Sequence, residues 1–270
     1  MLRGIEAAKA GMMSILEYND NIAHSLANAN TTAFKQTKVS FKNIQDSVIN
    51  AMQGRNGNLE ENSKLGTLSQ GSTVDSYTID FSQGVIKDTG RNFDFAINGD
   101  GFFKMKMADG TFTYTRNGVM QIQKDGTFTD NQGNILMNDK GIVKINIYDD
   151  TGEKQKLIDF DKVVVKNNGD IYYNQKLYGK IDLYDFNDKT KVMDLGENRF
   201  VSTDEISNPA KLVKNPNMQQ GALEMSNANS ILTLINSMNA QRAYESMNNV
   251  MQANSTTLQK ATSTVGKAVG

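Results

Sequence analysis

Residues 5–29 read IEAAKAGMMSILEYNDNIAHSLANA, and in that stretch Ile5, Ala8, Met12, Ile15, Asn19, Ile22, Leu26 and Ala29 recur at alternating steps of three and four. Those are the a and d positions of a heptad, sustained for about four repeats. The spacing predicts an amphipathic helix on the order of 40 Å long. Its apolar seam is narrow, which suits one partner helix better than a broad globular core. Asn19 is the polar member of the seam, where such a residue can fix register at some cost in stability. The pattern breaks at Asn30-Thr31-Thr32.

The far end of the chain supplies a partner. Neither proline nor glycine occurs between Leu223 and Val265. An apolar stripe runs through Ala228, Ile231, Ile235 and Met238, then resumes at Tyr244, Met247, Met251, Leu258, Ala261 and Val265. The step of six from Met238 to Tyr244 implies that this seam slips near Gln241-Arg242. A helix of this extent would span on the order of 60 Å and needs a partner for its stripe. The simplest way to bury both stripes is against each other, with neighbouring copies completing the packing.

Between the helices the period changes from helical to alternating. Residues 31–70 read as an extended connector, with room for a short helix over 41–52 and a soft patch at Gln53-Gly54-Arg55-Asn56-Gly57-Asn58. Residues 71–219 are all-β in character. Alternation is plain in Phe103-Lys104-Met105-Lys106-Met107, Thr111-Phe112-Thr113-Tyr114-Thr115, Ile145-Asn146-Ile147-Tyr148 and Ile181-Asp182-Leu183-Tyr184-Asp185-Phe186. Turn signals fall between them at Asp109-Gly110, Asp125-Gly126, Gln132-Gly133, Thr151-Gly152 and Asn168-Gly169-Asp170. The predicted class is therefore α+β: terminal α-helices pairing as a coiled-coil-like bundle, and a central domain of short antiparallel strands forming a small sandwich or barrel-like module. The division is 1–30, 31–70, 71–219 and 220–270.

Composition narrows the function. The 270 residues carry 29 basic and 30 acidic side chains, which gives no basic face for nucleic acid. Absence of cysteine excludes disulfides and thiol chemistry. The N-terminus lacks the apolar run of a secretory signal peptide, and no stretch of about 18 apolar residues predicts a membrane span. His24 is the single histidine, so it reads as a polar helix-face residue, not a metal ligand. Gly99-Asp100-Gly101 opens like a dinucleotide fingerprint, but Lys104 stands where the third glycine belongs and strands follow; a tight turn is the better reading. The Asp125–Gly133 cluster lacks the alternating acids and closing glutamate of a calcium loop. Lys35, Lys38 and Lys42 read as a solvated basic face. No catalytic, cofactor or metal constellation is expected.

Three segments resemble the signatures of the flagellar rod and hook family. The first is Ser25-Leu26-Ala27-Asn28-Ala29-Asn30-Thr31-Thr32-Ala33-Phe34-Lys35. The second is Asp94-Phe95-Ala96-Ile97-Asn98-Gly99-Asp100-Gly101-Phe102-Phe103 with Tyr114-Thr115-Arg116-Asn117-Gly118. The third is Leu223-Glu224-Met225-Ser226-Asn227-Ala228-Asn229 with Ala240-Gln241-Arg242-Ala243-Tyr244-Glu245. All three occur in order. Ala33 departs from the family's usual glycine, which brings a positive-φ turn there into question, since a side chain would be strained in it. Ser25 replaces a frequent asparagine, and the acidic pair often found after Asn229 is missing.

The resemblance implies a structural, non-enzymatic subunit of the basal-body rod, of the mid-length type, with the long connector pointing to the distal kind. It implies passage through the flagellar type III export apparatus without a cleaved signal. It also implies assembly into a hollow helical tube that spans the periplasm and transmits torque. Expected partners are further copies of the chain, neighbouring rod and hook proteins, and the P- and L-ring proteins around the rod, with no nucleic acid and no membrane insertion. Ile5, Met12, Ile15, Ile22, Leu26, Ile231, Ile235, Met238, Tyr244 and Met251 are the expected assembly residues, and Arg242 with Glu245 a polar contact between subunits. A hook-type or rod-capping subunit shares the same ends and is the nearest alternative. A monomeric β-domain binding module is the next, and an enzyme the weakest.

Overall fold

The computed structural model describes residues 2–44, 47–51, 54–55, 58–59, 63–68, 71–145 and 162–268. The expected strand at 145–148 and the turn at Thr151-Gly152 lie outside the described residues beyond Ile145. The chain forms two compact units. One comprises Met1–Leu26, Thr37–Thr78 and Ser230–Gly270, the other Ala27–Gln36 and Ile79–Asn229.

The first unit holds the two helices. Helix α1 covers Leu2–Ala27 and helix α2 covers Ser230–Ala268. They run antiparallel: Gly11 sits against Met247, and Asn19 Oδ1 accepts a hydrogen bond from the Ser237 hydroxyl at 3.3 Å. Ile15, Leu16 and Asn19 of α1 line an open pocket of about 110 Å³ with Ala240, Gln241 and Tyr244 of α2. The seam on α2 differs from the expected one. Its least exposed positions are Thr233, Ser237, Ala240, Tyr244, Met247 and Met251, which alternate steps of four and three without a slip. Ile231, Ile235 and Met238 belong to another face, where they are 69%, 47% and 49% exposed. The cause is size: small side chains at 11, 237 and 240 let the two backbones approach closely, and bulky aliphatics would hold them apart.

A two-stranded ribbon is made of β1 (Thr37–Asn43), β2 (Ser47–Ala51), β3 (Gly54–Arg55), β4 (Asn58–Leu59), β5 (Ser63–Leu68) and β6 (Ser72–Ile79), and the other side of α1 packs on β1 and β6. The described strands pair as β1 with β6, β2 with β5 and β3 with β4. The described residues of the short helix allowed over 41–52 lie instead in β1 and β2, and Val39 and Phe41 are of the β-branched and aromatic types that suit a pleated strand. Ser14 donates to the Ser72 carbonyl at 2.8 Å, and the Tyr18 ring meets Phe41 edge-on at 5.7 Å.

The second unit is antiparallel β throughout its paired strands. In chain order these are β7 (Ile86–Asp88), β8 (Phe95–Ile97), β9 (Phe102–Lys106), β10 (Phe112–Thr115), β11 (Gln121–Ile122), β12 (Phe128–Thr129), β13 (Ile135–Asn138) and β14 (Gly141–Ile142). Beyond the undescribed stretch come β15 (Val163–Val165), β16 (Asp170–Tyr173), β17 (Lys176–Lys180), β18 (Leu183–Asp185), β19 (Val192–Gly196), β20 (Arg199–Ser202), β21 (Lys211–Leu212), β22 (Met218–Gln220) and β23 (Ala222–Glu224). The largest sheet runs β11-β12-β13-β9-β10-β20-β19, and β15-β16-β17 form a separate one.

Strand β9 explains why one sheet serves two cores. Successive side chains point to opposite faces. Phe103 and Met105 enter a cluster with Phe95, Phe128, Leu136, Ile145 and Ile171. Phe102, on the other face, joins Phe81, Tyr114, Phe186 and Phe200. Gly110, Gly126, Gly133 and Gly169 all take positive φ at the expected hairpin turns.

Candidate functional site

Residues 27–35, 94–103, 114–118 and 223–229 of the signature segments converge inside the second unit, whereas 240–245 lie on α2 in the first. The chain leaving α1 turns at Asn28, whose carbonyl accepts the Thr31 N–H at 3.1 Å. Ala33 then adopts φ 58°, so the turn the family usually assigns to glycine is retained by an alanine. It is held because Ala33 N–H donates to the Glu224 carbonyl at 2.8 Å and the side chain is 1% exposed. The left-handed conformation costs an alanine about 1–2 kcal/mol. Removing the buried methyl group forfeits a comparable amount of burial. Ala33→Gly is therefore expected to leave stability within about 1 kcal/mol of the parent. Ala33→Val combines a disfavoured φ with excess volume and should cost about 3 kcal/mol or more, read by urea titration.

Asn227 ties the N-terminal and C-terminal segments together. Its Oδ1 accepts the Gln36 N–H at 2.8 Å, its Nδ2 donates to the Asp80 carbonyl at 2.7 Å, and its own N–H reaches the Phe34 carbonyl at 3.3 Å. Asn198 Nδ2 donates to the Thr32 carbonyl at 2.8 Å. The Thr32 and Phe34 carbonyls and the Ala33 and Gln36 N–H groups are thus occupied by groups distant in sequence.

At the centre lies a buried ion cluster. Lys35 Nζ donates to Glu224 Oε1 at 2.6 Å and to the Ser82 carbonyl at 2.8 Å. The same Oε1 accepts Gly84 N–H at 2.9 Å, and Arg116 donates to Oε2 at 3.3 Å. Lys35 and Glu224 side chains are fully buried, and that of Arg116 is 1% exposed. The Arg116 guanidinium also stands over the Phe102 ring at 5.2 Å. One carboxylate therefore serves two cations, each contributed by a different signature segment. Burial holds the Lys35 ammonium below the usual lysine range; the Glu224 charge and hydrogen bond oppose that shift, and Arg116 adds to it.

Two glycines let the backbones meet around this cluster. A Cβ on Gly84 would fall 2.0 Å from the Met225 carbonyl oxygen, and one on Gly118 would fall 1.7 Å from that of Phe95. The Gly118 carbonyl in turn accepts the Phe95 N–H at 2.9 Å. The arrangement is a locked crossing whose three charged side chains are buried.

The signature residues divide accordingly. Phe34, Lys35, Gly101, Phe102 and Phe103 are buried, whereas Leu26, Ala27, Asn30 and Gly99 are exposed and Asn28 is half-buried. The solvated face expected of Lys35, Lys38 and Lys42 does not exist as one surface: Lys35 is buried in the ion cluster, while Lys38 is exposed on β1 and Lys42 pairs with Asp75 at 2.8 Å. Gly99 and Gly101 take positive φ in the turn between β8 and β9. In the Asp125–Gly133 stretch, Asp125 accepts from Thr127 and Asp130 from Gln132 and Asn134, so these carboxylates stabilise their own turns. His24 is exposed on α1. Among the expected assembly residues, Ile5, Met12, Ile15, Tyr244 and Met251 are half-buried and Ile22 is buried. Leu26, Ile231, Ile235, Met238, Arg242 and Glu245 are exposed. Sequence reasoning did not single out Glu224, Arg116, Asn227 or Gly84. The available signal was one charge in an apolar strand, as in Leu223-Glu224-Met225.

Comparison with known proteins matches residues 96–173 to a family described as flagellar hook protein FlgE/F/G D1 domain. Residues 219–264 match one described as flagellar basal body rod FlgEFG protein C-terminal. A flagellar basal-body rod protein FlgG from Buchnera aphidicola subsp. Baizongia pistaciae is 27% identical, the match covering 96% of this chain and 98% of the relative. The FlgF rod protein of Caulobacter vibrioides is 29% identical over 94% of each chain. The FlgG of Bacillus subtilis is 33% identical over 54% of each.

Proposed function

Because the chain belongs to the FlgE/F/G family of flagellar hook and basal-body rod proteins, we propose that it is a rod subunit that polymerises through its terminal helices into a hollow helical drive shaft carrying torque from motor to hook. The distal rod type is the favoured one, because the ribbon of β1 to β6 gives the connector the length that type requires. Its partners are further copies of itself and the adjoining rod and hook proteins, with the P- and L-ring proteins around the assembled shaft. It reaches them through the flagellar type III export apparatus. Within the polymer the helices and ribbon form the inner layers, and Arg242 and Glu245 make a polar contact between subunits.

The observation that carries this reading is the outward face of α2. Ile231, Leu234, Ile235 and Met238 are all about half or more exposed in the single chain, while the seam towards α1 is small and partly polar. Met13 and Leu16 of α1 are likewise 55% and 49% exposed. Such a distribution leaves the larger share of apolar area for helices of other subunits.

The Ile231→Asp/Ile235→Asp double variant tests it. Both side chains are exposed, so the melting of the monomer should be almost unchanged. Burying an isoleucine is worth about 1.5–3 kcal/mol, so losing two should raise the critical concentration for polymerisation at least about 100-fold. Sedimentation across a concentration series reads both chains. A parent protein that stays monomeric throughout would remove the proposal.

A further inference from the structure

Helix α1 has an outward face separate from its seam with α2. Lys9, Met13, Leu16 and Asp20 follow one another at steps of four, three and four, which sets them in one row, and Glu6 stands beside that row. These residues are exposed, Met13 and Leu16 by 55% and 49%. The outward row of α2, Ile231, Ile235, Met238 and Arg242, has the same steps, with Glu245 one turn further on. At 3.6 residues per turn it falls on the opposite side of α2 from the seam residues Thr233, Ser237, Ala240 and Tyr244. Each row is an apolar centre bordered by charge, and the two rows lie on different sides of the helix pair.

The charges on both rows are uncommitted. Among the described residues, Glu6, Lys9, Asp20, Arg242 and Glu245 form no ion pair within their own chain. In a helical array whose axis follows the helices, every copy keeps one direction. The outward face of α1 then meets the outward face of a neighbour's α2 antiparallel, and charge selects the register. With Met13 opposite Met238, Lys9 falls on Arg242 and Glu6 on Glu245, two like-charge encounters that disfavour the contact. With Met13 opposite Arg242 or Ile231, charged side chains land on apolar ones. With Met13 opposite Ile235, Leu16 comes level with Ile231, the aliphatic stem of Lys9 with Met238, and Glu6 with Arg242. That register alone sets apolar against apolar and acid against base.

We propose that the Met13–Leu16 face of one copy's α1 packs antiparallel on the Ile231–Ile235 face of a second copy's α2, with Glu6 of the first paired to Arg242 of the second. Two different faces brought together in this way form a heterologous contact, the kind that repeats into open helical arrays, so that α1 and α2 alternate from copy to copy. The inference rests on the rod reading and deepens it: it names the surface that covers the outward row of α2, and it gives Arg242 a partner. The like-charge encounters one turn away act against a slipped register, so the same side chains that hold the contact also fix its stagger.

Charge exchange tests it. Glu6→Arg and Arg242→Glu should each raise the critical concentration for sedimentation about fivefold, with monomer melting unchanged because both side chains are exposed. The chain carrying both changes should return to within about twofold of the parent. The absence of cysteine allows a second reading. Leu16→Cys and Ile231→Cys chains, one of them size-tagged, are mixed under mild oxidation and should give the mixed disulfide on a non-reducing gel. Rescue of Arg242→Glu by Asp20→Arg, with Leu16→Cys joining Met238→Cys instead, is the signature of parallel helices in copies of opposite direction, and overturns the proposal. A parent that sediments normally, while the double exchange stays as weak as the single ones, overturns this contact and leaves the rod reading in place. If the parent sediments at no concentration, both fall together.

Discussion

Glu224→Gln is expected to lower the stability of the β unit by about 3–5 kcal/mol at neutral pH, because it leaves two buried cations without their shared anion. Lys35→Met at the same cluster should cost no more than about 1 kcal/mol. The asymmetry comes from the arithmetic of the site: Glu224 answers both Lys35 and Arg116, so removing Lys35 leaves a paired Arg116 and a carboxylate that still accepts the Gly84 N–H. Near-ultraviolet circular dichroism of the tyrosines, followed through a urea titration, reads the β unit directly, since Tyr114 and Tyr184 both sit in its core. If both variants lose the same stability, the shared-anion account is wrong.

The same cluster sets a pH dependence whose direction follows from linkage. Lys35 is held below 10.5 in the folded chain. Between its folded value and that of the free side chain, the unfolded protein binds more protons, so stability rises with pH across this window. The penalty is complete below the folded value and gone above the unfolded one. Parent minus Lys35→Met isolates it: the difference should move in the parent's favour as pH climbs towards 10.5. Tyr184 acts in the opposite sense. Burial pushes its phenol up to about 12, which costs stability as pH rises from about 10, but that loss is common to both chains and cancels. The cost of Glu224→Gln should also shrink at alkaline pH, because a neutral Lys35 no longer needs the carboxylate.

Gly118→Ala is expected to prevent the β unit from closing, at a cost of about 3–5 kcal/mol. The new methyl group would sit 1.7 Å from the Phe95 carbonyl oxygen, and that atom belongs to a fully buried strand. Neither partner is a flexible side-chain end, so the clash can be relieved only by moving backbone. Gly84→Ala should behave in the same way through the Met225 carbonyl at 2.0 Å. Gly110→Ala supplies the contrast. That glycine has positive φ but open space around it, so only the conformational cost of about 1–2 kcal/mol applies. Circular dichroism and proteolysis of the three variants should separate the first two from the third.

Much of the plan was legible because periodicity and turn chemistry are local. The helical period of α1 and the glycines at 110, 126, 133 and 169 declare their roles within a few residues, although Gly11, Ser14 and Ser25, which α1 buries, lie off the expected heptad and Leu26 is exposed. The inward seam of α2 was not legible in the same way. Thr233, Ser237 and Ala240 carry little hydrophobic signal, so the eye follows Ile231, Ile235 and Met238 onto the wrong face. Lys35 was misplaced for another reason: its partner Glu224 lies 189 residues away. No spacing rule links two single charges across that distance, and only the folded chain brings them within 2.6 Å. The connector is extended as expected, and only the short helix allowed within it fails, because helical and extended readings compete in a short apolar run and the partner strand decides between them.

The tie between Ala33 and Glu224 has a consequence in chain statistics. Ala33 and Glu224 join two adjacent backbones, so the chain between them, which includes the ribbon strands of the first unit as well as the β unit, is a closed loop whose ends are already joined. The entropic cost of closing such a loop grows only with the logarithm of its length, about 0.6 kcal/mol for each doubling. A chain built this way could double or halve what lies between its ends, strand by strand, at a cost smaller than one misplaced methyl group.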